Sequence, residues 1–206
     1  MIEDEAKGIV VGIDEAGRGP WAGPVVAGAV IIKDRNLGDT LLKGLDDSKK
    51  LSASKREKLY EALFEAQRAG KLLIGIGEAS AKEIDELNIL QATFVAMKRA
   101  VDNLSISPDV ALIDGNQMPK NFSCPCRTIV KGDARSMSIA SASIIAKVYR
   151  DKLMAKLAEK YPYYGFEKNA GYGTALHQQG LQKYGICEEH RRSYKPIQEK
   201  IRILGC

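Results

Sequence analysis

Three acidic residues stand where apolar runs of the sequence stop. Asp14 and Glu15 follow IVVGI, and Asp114 follows VALI. A carboxylate beside a buried strand costs solvation free energy unless it is exposed, paired or bound to a cation. Carboxylate oxygens are hard ligands that suit Mg²⁺ or Mn²⁺, and such ions assist phosphodiester cleavage. Asp114 before Gly115, taken alone, is more typical of an ordinary turn.

The adjacent pair Asp14-Glu15 is harder to explain as a turn. Two neighbouring like charges repel each other unless a positive group lies nearby. Consecutive residues of a regular strand point to opposite faces, so Glu15 can share a metal ion with Asp14 only if the strand has already broken. Gly17 makes such a break possible, because glycine tolerates turn conformations. The pair therefore favours a metal site.

A glycine-rich loop follows the acids. Residues 17–22 (GRGPWA) fit the dinucleotide-binding pattern G-x-G-x-x-A after a strand. That pattern must open a helix, whereas the next residues, PVVAGAVII, indicate a strand. Two acids also stand where a pyrophosphate would have to bind, so a nucleotide cofactor is excluded. Exposed amides at Gly17 and Gly19, with Arg18 between them, instead suit a sugar-phosphate backbone.

Strands and helices alternate in the segments that must position these residues. Leu59, Leu63 and Ala66 recur with helical spacing among charges, which predicts an amphipathic helix. Residues 136–160 contain neither Gly nor Pro and are rich in Ala, which predicts one long helix. The predicted strands are residues 9–13, 24–32, 72–77, 110–113 and 127–130. The predicted helices are residues 52–69, 136–160, 175–184 and 197–203, with one or two further helices in residues 81–103.

Composition places the chain among ordinary globular proteins. It has 206 residues, 45% hydrophobic and 28% charged, and a net charge of +5. This balance permits a polyanionic partner without requiring one. No apolar run is long enough to cross a bilayer, and the acidic start differs from a secretory signal, so a cytoplasmic protein is expected. The four cysteines, Cys124, Cys126, Cys187 and Cys206, do not make the dense framework of a small secreted domain, so they are expected to be reduced thiols. A zinc site formed by Cys124, Cys126, Cys187 and His190 is disfavoured, because their spacing is not a usual zinc pattern.

Six short motifs together resemble bacterial ribonuclease HII, the type 2 ribonuclease H family. The resemblance runs from about residue 10 to residue 196. The motifs are residues 12–20 (GIDEAGRGP), 46–51 (DDSKKL), 113–116 (IDGN), 131–133 (KGD), 142–147 (ASIIAK) with Arg150 and Asp151, and 171–174 (GYGT). It implies an α/β ribonuclease H-like fold, in which a five-stranded mixed sheet is flanked by helices. We expect a catalytic domain at residues 1–160 and a small C-terminal helical lobe for substrate binding at residues 161–206.

The resemblance also implies four metal-site carboxylates: Asp14, Glu15, Asp114 and Asp133. Without it, Asp133 would be interpreted as a cap of the long helix, because it lies three residues before Ser136. Asp151, between Arg150 and Lys152, is interpreted as a solvated or paired surface acid.

In the family, the loop Gly17-Arg18-Gly19 contacts the backbone around a ribonucleotide, and a tyrosine that matches Tyr172 packs nearby. The resemblance therefore implies recognition of a 2′-hydroxyl, the group that separates RNA from DNA. One departure is that Asn169-Ala170 precedes Gly171 where a Lys is expected, which removes one possible phosphate contact. Further candidates for phosphate binding are Lys49, Lys50, Ser143 and Lys147, although such residues are also typical of plain surface or helix packing. His177 and His190 are given no role.

The function implied is hydrolysis of RNA paired with DNA, and cutting on the 5′ side of ribonucleotides embedded in duplex DNA. Asp14 and Asp114 would hold an ion that activates water, and Glu15 and Asp133 would complete a second site at the departing 3′-oxygen. We expect Mg²⁺ or Mn²⁺, products with 5′-phosphate and 3′-hydroxyl ends, and a monomer without membrane association. A DNA-cutting metal nuclease of the same broad fold and a nucleic-acid-binding module without chemistry are the alternatives.

Overall fold

The structure, a computed structural model, describes residues 2–38, 41, 44–45 and 51–204. The strands are β1 (Val10–Ala16), β2 (Val25–Ile32), β3 (Leu72–Ala79), β4 (Val110–Asp114) and β5 (Cys126–Ile129). The helices are α1 (Ala53–Arg68), α2 (Ala81–Leu87), α3 (Ile89–Asp102), α4 (Met137–Lys160), α5 (Phe166–Asn169), α6 (Ala175–Tyr184) and α7 (Lys195–Leu204). Short 3₁₀ turns span Ile2–Glu5 and Gly132–Ala134.

All five strands form one mixed sheet in the order β3-β2-β1-β4-β5. The pairs β1–β2 and β2–β3 are antiparallel, whereas β1–β4 and β4–β5 are parallel. This confirms the predicted five-stranded mixed sheet. Because β1 and β4 run in the same direction with Ile13 opposite Ile113, their acidic ends lie at one edge of the sheet.

Helices cover both faces of the sheet, as its two-sided apolar strands require. On one face, α2 and α3 bury Ile84 and Met97 against β1 and β2. On the other face, α1 and α4 bury Leu63 and Ile145 against the sheet. The central strands β1 and β2 are therefore fixed from both sides, which holds the residues at their ends rigidly.

Two glycines allow α4 to lie directly on the sheet. A Cβ atom at Gly12 would come within 2.3 Å of the backbone nitrogen of Ile139, and one at Gly28 within 2.5 Å of the carbonyl oxygen of Ala142. Any side chain at either position would push the helix away. Since Gly28 pairs with Asp14 in the sheet, this close approach brings the next residue of α4, Ser143, towards Asp14.

The last helices form a third apolar cluster at the end of α4. Phe166 and Leu181 pack there with Met154 of α4 and with Ala22, which lies in the loop between β1 and β2. Helices α6 and α7 were predicted, whereas the four-residue helix α5 was not. No helix in the described part of the chain is long and apolar enough to cross a membrane.

Candidate active site

The acidic residues at the ends of β1 and β4 meet at one edge of the sheet. Glu15 and Asp114 both raise the pKa of Asp14, and Asp114 also raises the pKa of Glu15, so the three carboxylates lie close together. The expected break of β1 before Glu15 is wrong: Glu15 and Ala16 still pair with β2, opposite Ala27 and Val26. The turn begins only at Gly17, whose φ is +98°. Asp14 and Glu15 therefore leave the strand in different directions.

Asp14 is the most buried of these three acids. Its side chain is 8% exposed, and burial followed by repulsion from Glu15 and Asp114 raises its pKa to about 8. The Glu15 N–H donates to its Oδ1 over 2.7 Å. That bond and a hydrogen bond from Ser143 act in the opposite direction, favouring the charged form. A carboxylate in this environment is stabilised by a nearby cation.

Glu15 has a positive neighbour of its own. The Arg18 guanidinium donates to its Oε1 over 3.2 Å, although the Arg18 side chain is 47% exposed. Burial raises the pKa of Glu15, and Arg18 partly offsets that rise. The exposure of Arg18 leaves part of the guanidinium accessible to a phosphate.

Asp133 reaches the same edge through a short turn. The Gly132 N–H donates to Oδ1 of Asp114 over 2.6 Å, which fixes the turn Gly132–Ala134 against the end of β4. Asp133 is 7% exposed. The alternative that Asp133 caps the long helix is wrong, because the N-cap of α4 is Ser136, whose Oγ accepts the N–H of Ile139.

The donor set suits a hard divalent cation. The charge of Asp114 acts on both Asp14 and Glu15, and the turn that carries Asp133 bonds to Asp114. Carboxylates gathered in this way offer the oxygen ligands that Mg²⁺ or Mn²⁺ prefers. Among the described residues, however, no group of three or more His, Cys, Asp or Glu side chains is already arranged to hold a metal ion. One oxygen on each of Asp14, Glu15 and Asp114 accepts a protein hydrogen bond instead.

The glycine loop and the predicted tyrosine lie in contact. A Cβ atom at Gly19 would stand 3.4 Å from Cε1 of Tyr172, whose side chain is 52% exposed. The N–H of Trp21 donates to the carbonyl of Gly171 over 2.8 Å, which joins the two loops. The Asn169 side chain accepts a hydrogen bond from the N–H of Gly171 and donates one to the carbonyl of Tyr164. Asn169, which departs from the family pattern, therefore stabilises the loop that carries Tyr172.

Of the other residues predicted to contact phosphate, the structure describes Ser143 and Lys147. Ser143 lies against Asp14, at the edge of the carboxylate cluster. Lys147 pairs with Asp151 over 2.7 Å one helical turn away, which confirms that Asp151 is a paired surface acid. Lys49 and Lys50 lie outside the described residues.

Two buried arginines were missed by sequence reasoning. Arg150 is 2% exposed and donates to the carbonyls of Ala22, Pro24 and Ala170. Arg191 is 0% exposed and also donates to loop carbonyls. For Arg150 a signal existed, because it lies seven residues after Ser143 and so on the same face of α4. Arg191 offered none, since the loop carbonyls to which it donates are more than 160 residues away.

The two histidines form a buried pair. Nε2 of His177 lies 2.9 Å from Nε2 of His190, and both side chains are at most 1% exposed. The Cys187 N–H donates to Nδ1 of His190, so His190 donates through Nε2 and His177 donates through Nδ1 to the carbonyl of Tyr172. Each ring is satisfied in its neutral form, and the chain of bonds ends at the tyrosine loop.

In the described part of the chain, Cys124, Cys126 and Cys187 do not assemble into a zinc site. Cys124 and Cys126 pack against the apolar cluster beside α3, whereas Cys187 packs in the cluster formed by the C-terminal helices. Burial raises the pKa of Cys126 and that of Cys187 to about 11, which keeps both thiols protonated. Cys206 lies outside the described residues.

Comparison with known proteins gives one consistent match. The protein-family model described as Ribonuclease HII matches residues 11–197. The chain is 52% identical to a ribonuclease HII from Jannaschia sp. over 95% of this chain and 94% of the relative. It resembles the crystal structure of ribonuclease H2 from Pyrococcus horikoshii with a TM-score of 0.76 and 28% identity, covering 96% of this chain and 99% of that one. Bst-RNase HIII in complex with Mn²⁺ has the same fold, with a TM-score of 0.70 and 16% identity over 95% of this chain and 70% of that one.

Proposed function

The chain belongs to the ribonuclease HII family of endoribonucleases, and we propose that it hydrolyses the RNA strand of RNA:DNA hybrids and cuts duplex DNA on the 5′ side of an embedded ribonucleotide. The observation that carries this proposal is the contact between Gly19 and the exposed Tyr172 beside the carboxylate cluster. A sugar ring bound against both the loop and the tyrosine would present its 2′-hydroxyl to backbone groups, which distinguishes RNA from DNA.

Asp14, Glu15, Asp114 and Asp133 would hold the metal ions, Mg²⁺ or Mn²⁺. When bound, two such ions supply an activated water and stabilise the charge of the departing 3′-oxygen. The buried carboxylates support this assignment, because burial first, and then the negative charges of Glu15 and Asp114, raise the pKa of Asp14 to about 8. Cleavage would leave 5′-phosphate and 3′-hydroxyl ends, and no side chain need act as a nucleophile.

The remaining residues would hold the substrate. Arg18 and the exposed amides beside it would contact the phosphates around the ribonucleotide. Ser143 borders Asp14 and Lys147 lies one turn further along α4, so both would contact the strand that enters the site. Lys49 and Lys50 are proposed as further phosphate contacts from their sequence motif alone. The protein would act as a monomer in the cytoplasm, in the removal of ribonucleotides during DNA replication and repair.

A cleavage assay on four duplexes tests this function: all-DNA, all-RNA, RNA:DNA hybrid, and DNA with one ribonucleotide. We expect cutting of the hybrid and of the single-ribonucleotide duplex only, with all cutting lost when a chelator is added. Cutting of the all-DNA duplex would indicate the rival DNA nuclease. Binding without any cutting, and with higher affinity after Asp14→Asn, would indicate a binding module.

A further inference from the structure

The loop between β1 and β2 is held by the buried guanidinium of Arg191, a residue in the C-terminal part of the chain. Nε of Arg191 donates to the carbonyl of Gly23 over 3.0 Å, and Nη2 donates to the carbonyls of Gly17 and Gly23 over 2.5 and 2.9 Å. Nη1 donates to the carbonyl of Arg18 and to the Tyr194 hydroxyl, both over 2.9 Å. One guanidinium thus fixes both ends of the loop.

These bonds decide which way the loop amides face. In a trans peptide unit the C=O and the following N–H point in opposite directions. Since the carbonyls of Gly17 and Arg18 point at Arg191, the N–H groups of Arg18 and Gly19 point away from it. Both residues are exposed. Within the residues that the structure describes, neither N–H donates a hydrogen bond to the protein.

The Arg191 cation is buried, and among the described residues Asp85 acts on it electrostatically without a hydrogen bond. Arg191 forms no ion pair within the described chain, and its donors all meet neutral oxygens. Burying a charge in this way is unfavourable unless its hydrogen bonds are complete. The same charge adds positive potential beneath two outward-facing amides, an arrangement that attracts anions.

We propose that Arg191 is a positioning residue for ribonucleotide recognition: by holding the carbonyls of Gly17 and Arg18, it turns the amides of Arg18 and Gly19 towards the sugar-phosphate backbone. This inference rests on the proposed function. The Arg150 side chain also lies against Gly17, but its hydrogen bonds go to the carbonyls of Ala22, Pro24 and Ala170. Arg150 therefore joins residues 22–24 to the segment that carries Tyr172.

The test uses Arg191→Lys, which keeps the charge but cannot span three carbonyls. We expect kcat/KM on the single-ribonucleotide duplex to fall at least about tenfold more than kcat/KM on a long RNA:DNA hybrid, because a displaced loop misaligns the sugar at the junction. Mn²⁺ affinity, measured by calorimetry without substrate, should stay unchanged. The matched control is Arg192→Lys at the exposed neighbouring position, which should leave both substrates unaffected.

Tyr194→Phe provides a second variant in case Arg191→Lys does not fold. It removes the Tyr194 hydroxyl, which bonds to both Arg191 and the carbonyl of Arg18, and leaves the buried charge in place. The same selective loss, in smaller degree, is expected. Equal losses on both substrates in the folded variants would overturn the positioning role.

Amide NMR separates this inference from the proposed function. In Arg191→Lys the ¹H–¹⁵N signals of Arg18 and Gly19 should shift, whereas that of Gly115, at the end of β4, should not. Unmoved loop signals would overturn the positioning role even if the enzyme is a ribonuclease. If the unaltered protein fails to cut the single-ribonucleotide duplex, the proposed function falls, and the NMR result still decides whether Arg191 sets the loop.

Discussion

At the scale of single residues, Asp14 combines a buried carboxyl with a proposed role as a metal ligand. Its carboxyl is buried, and the neighbouring charges of Glu15 and Asp114 are both negative. Such a group is unfavourable for folding, and its retention is typical of functional sites. The same burial that raises the pKa of Asp14 would strengthen its attraction to a metal ion.

Asp14→Asn should therefore stabilise the metal-free protein. The folded-state pKa of Asp14 is about 8, above its ordinary value of 3.8, so the folded protein binds more protons than the unfolded chain between these pH values. Stability falls as pH rises through this window. We expect the melting temperature of Asp14→Asn at pH 8, measured in chelator, to exceed that of the unaltered protein by a few degrees and to differ little near pH 4.

The exposed acid Asp102 offers the matched control, since Asp102→Asn makes the same chemical change outside the cluster. It should leave the melting temperature nearly unchanged. Added Mn²⁺ should raise the melting temperature of the unaltered protein more than that of Asp14→Asn. A lower melting temperature for metal-free Asp14→Asn at pH 8 would refute this account of the cluster.

Asp133 and Ser136 should separate catalysis from helix capping. Because Ser136 caps α4, Ser136→Ala should cost about 1 kcal/mol of stability and leave cleavage largely intact. Asp133→Asn should reduce cleavage, by less than the same change at Asp14 and depending on the metal supplied, while the helix stays capped. Thermal denaturation and cleavage rates measured on both variants check this. Lost stability with intact cleavage in Asp133→Asn would remove it from the metal site.

At the scale of secondary structure, strands and helices were predictable where one pattern dominates. The β-branched runs of β1, β2 and β4 and the uninterrupted helical composition of α4 gave bounds within a few residues. The extension of β1 through Ala16 was missed, because the pairing with β2 that continues it is a long-range interaction. Helix α5 was also missed, since four residues are too few for a periodic signal.

The candidate site was predictable only as far as its residues carry local signals. Acids at strand ends and a glycine loop are visible in the sequence, and the family resemblance added Asp133 and Tyr172. Arg191 carries no such signal. It meets Gly17 and Gly23 across more than 160 residues, and an arginine in a polar segment is typical of exposed surface. Lys49 and Lys50 stay predictions.

The tyrosine loop should matter most for isolated ribonucleotides. Tyr172→Ala removes the ring that packs on Gly19 and should lower the rate on a single-ribonucleotide duplex far more than on a long hybrid, whose other riboses offer further contacts. Tyr172→Phe keeps the ring and serves as the control, with near-normal selectivity expected. Steady-state rates on both substrates decide this, and equal losses for Tyr172→Ala would assign the tyrosine to catalysis or folding in general.

The buried histidine pair should make the C-terminal helices sensitive to acid. Burial lowers the pKa of His190 to about 4, below its ordinary 6.5, so the unfolded chain binds more protons between these values. The contribution of neutral His190 to the free energy of unfolding is thus fully present above pH 6.5 and is lost as pH falls towards 4. Titration of Asp14 makes stability change with pH in the opposite direction, so the measurement uses the Asp14→Asn variant. In that variant the melting temperature, followed by the fluorescence of Trp21, should fall from pH 6.5 to pH 5.

Adding His190→Gln to that background should flatten this slope, because one of the two rings no longer titrates. Trp21 is a suitable probe, since its ring centroid lies 5.8 Å from that of His177. A slope that does not change in the double variant would show that other groups cause the acid sensitivity.

At the scale of the whole molecule, the proposed function draws substrate recognition from both the C-terminal segment and the sheet. The sheet edge supplies the carboxylates, while Arg191 and the Tyr172 loop come from beyond residue 160 and meet the loop that follows β1. The division into units at residues 1–160 and 161–206, and the monomeric state, stay predictions. Because the proposed site takes residues from both parts of the chain, the family match extends along nearly the whole chain, over residues 11–197.

The most direct test of the central claim maps the cut in a duplex that contains one ribonucleotide. With Mg²⁺ or Mn²⁺, we expect a single cut on the 5′ side of that nucleotide, leaving a 3′-hydroxyl and a 5′-phosphate, with a loss of at least about a hundredfold in Asp14→Asn and Asp114→Asn variants that stay folded. Cutting on the 3′ side, cutting that persists in chelator, or full activity of either variant at saturating metal would contradict the account.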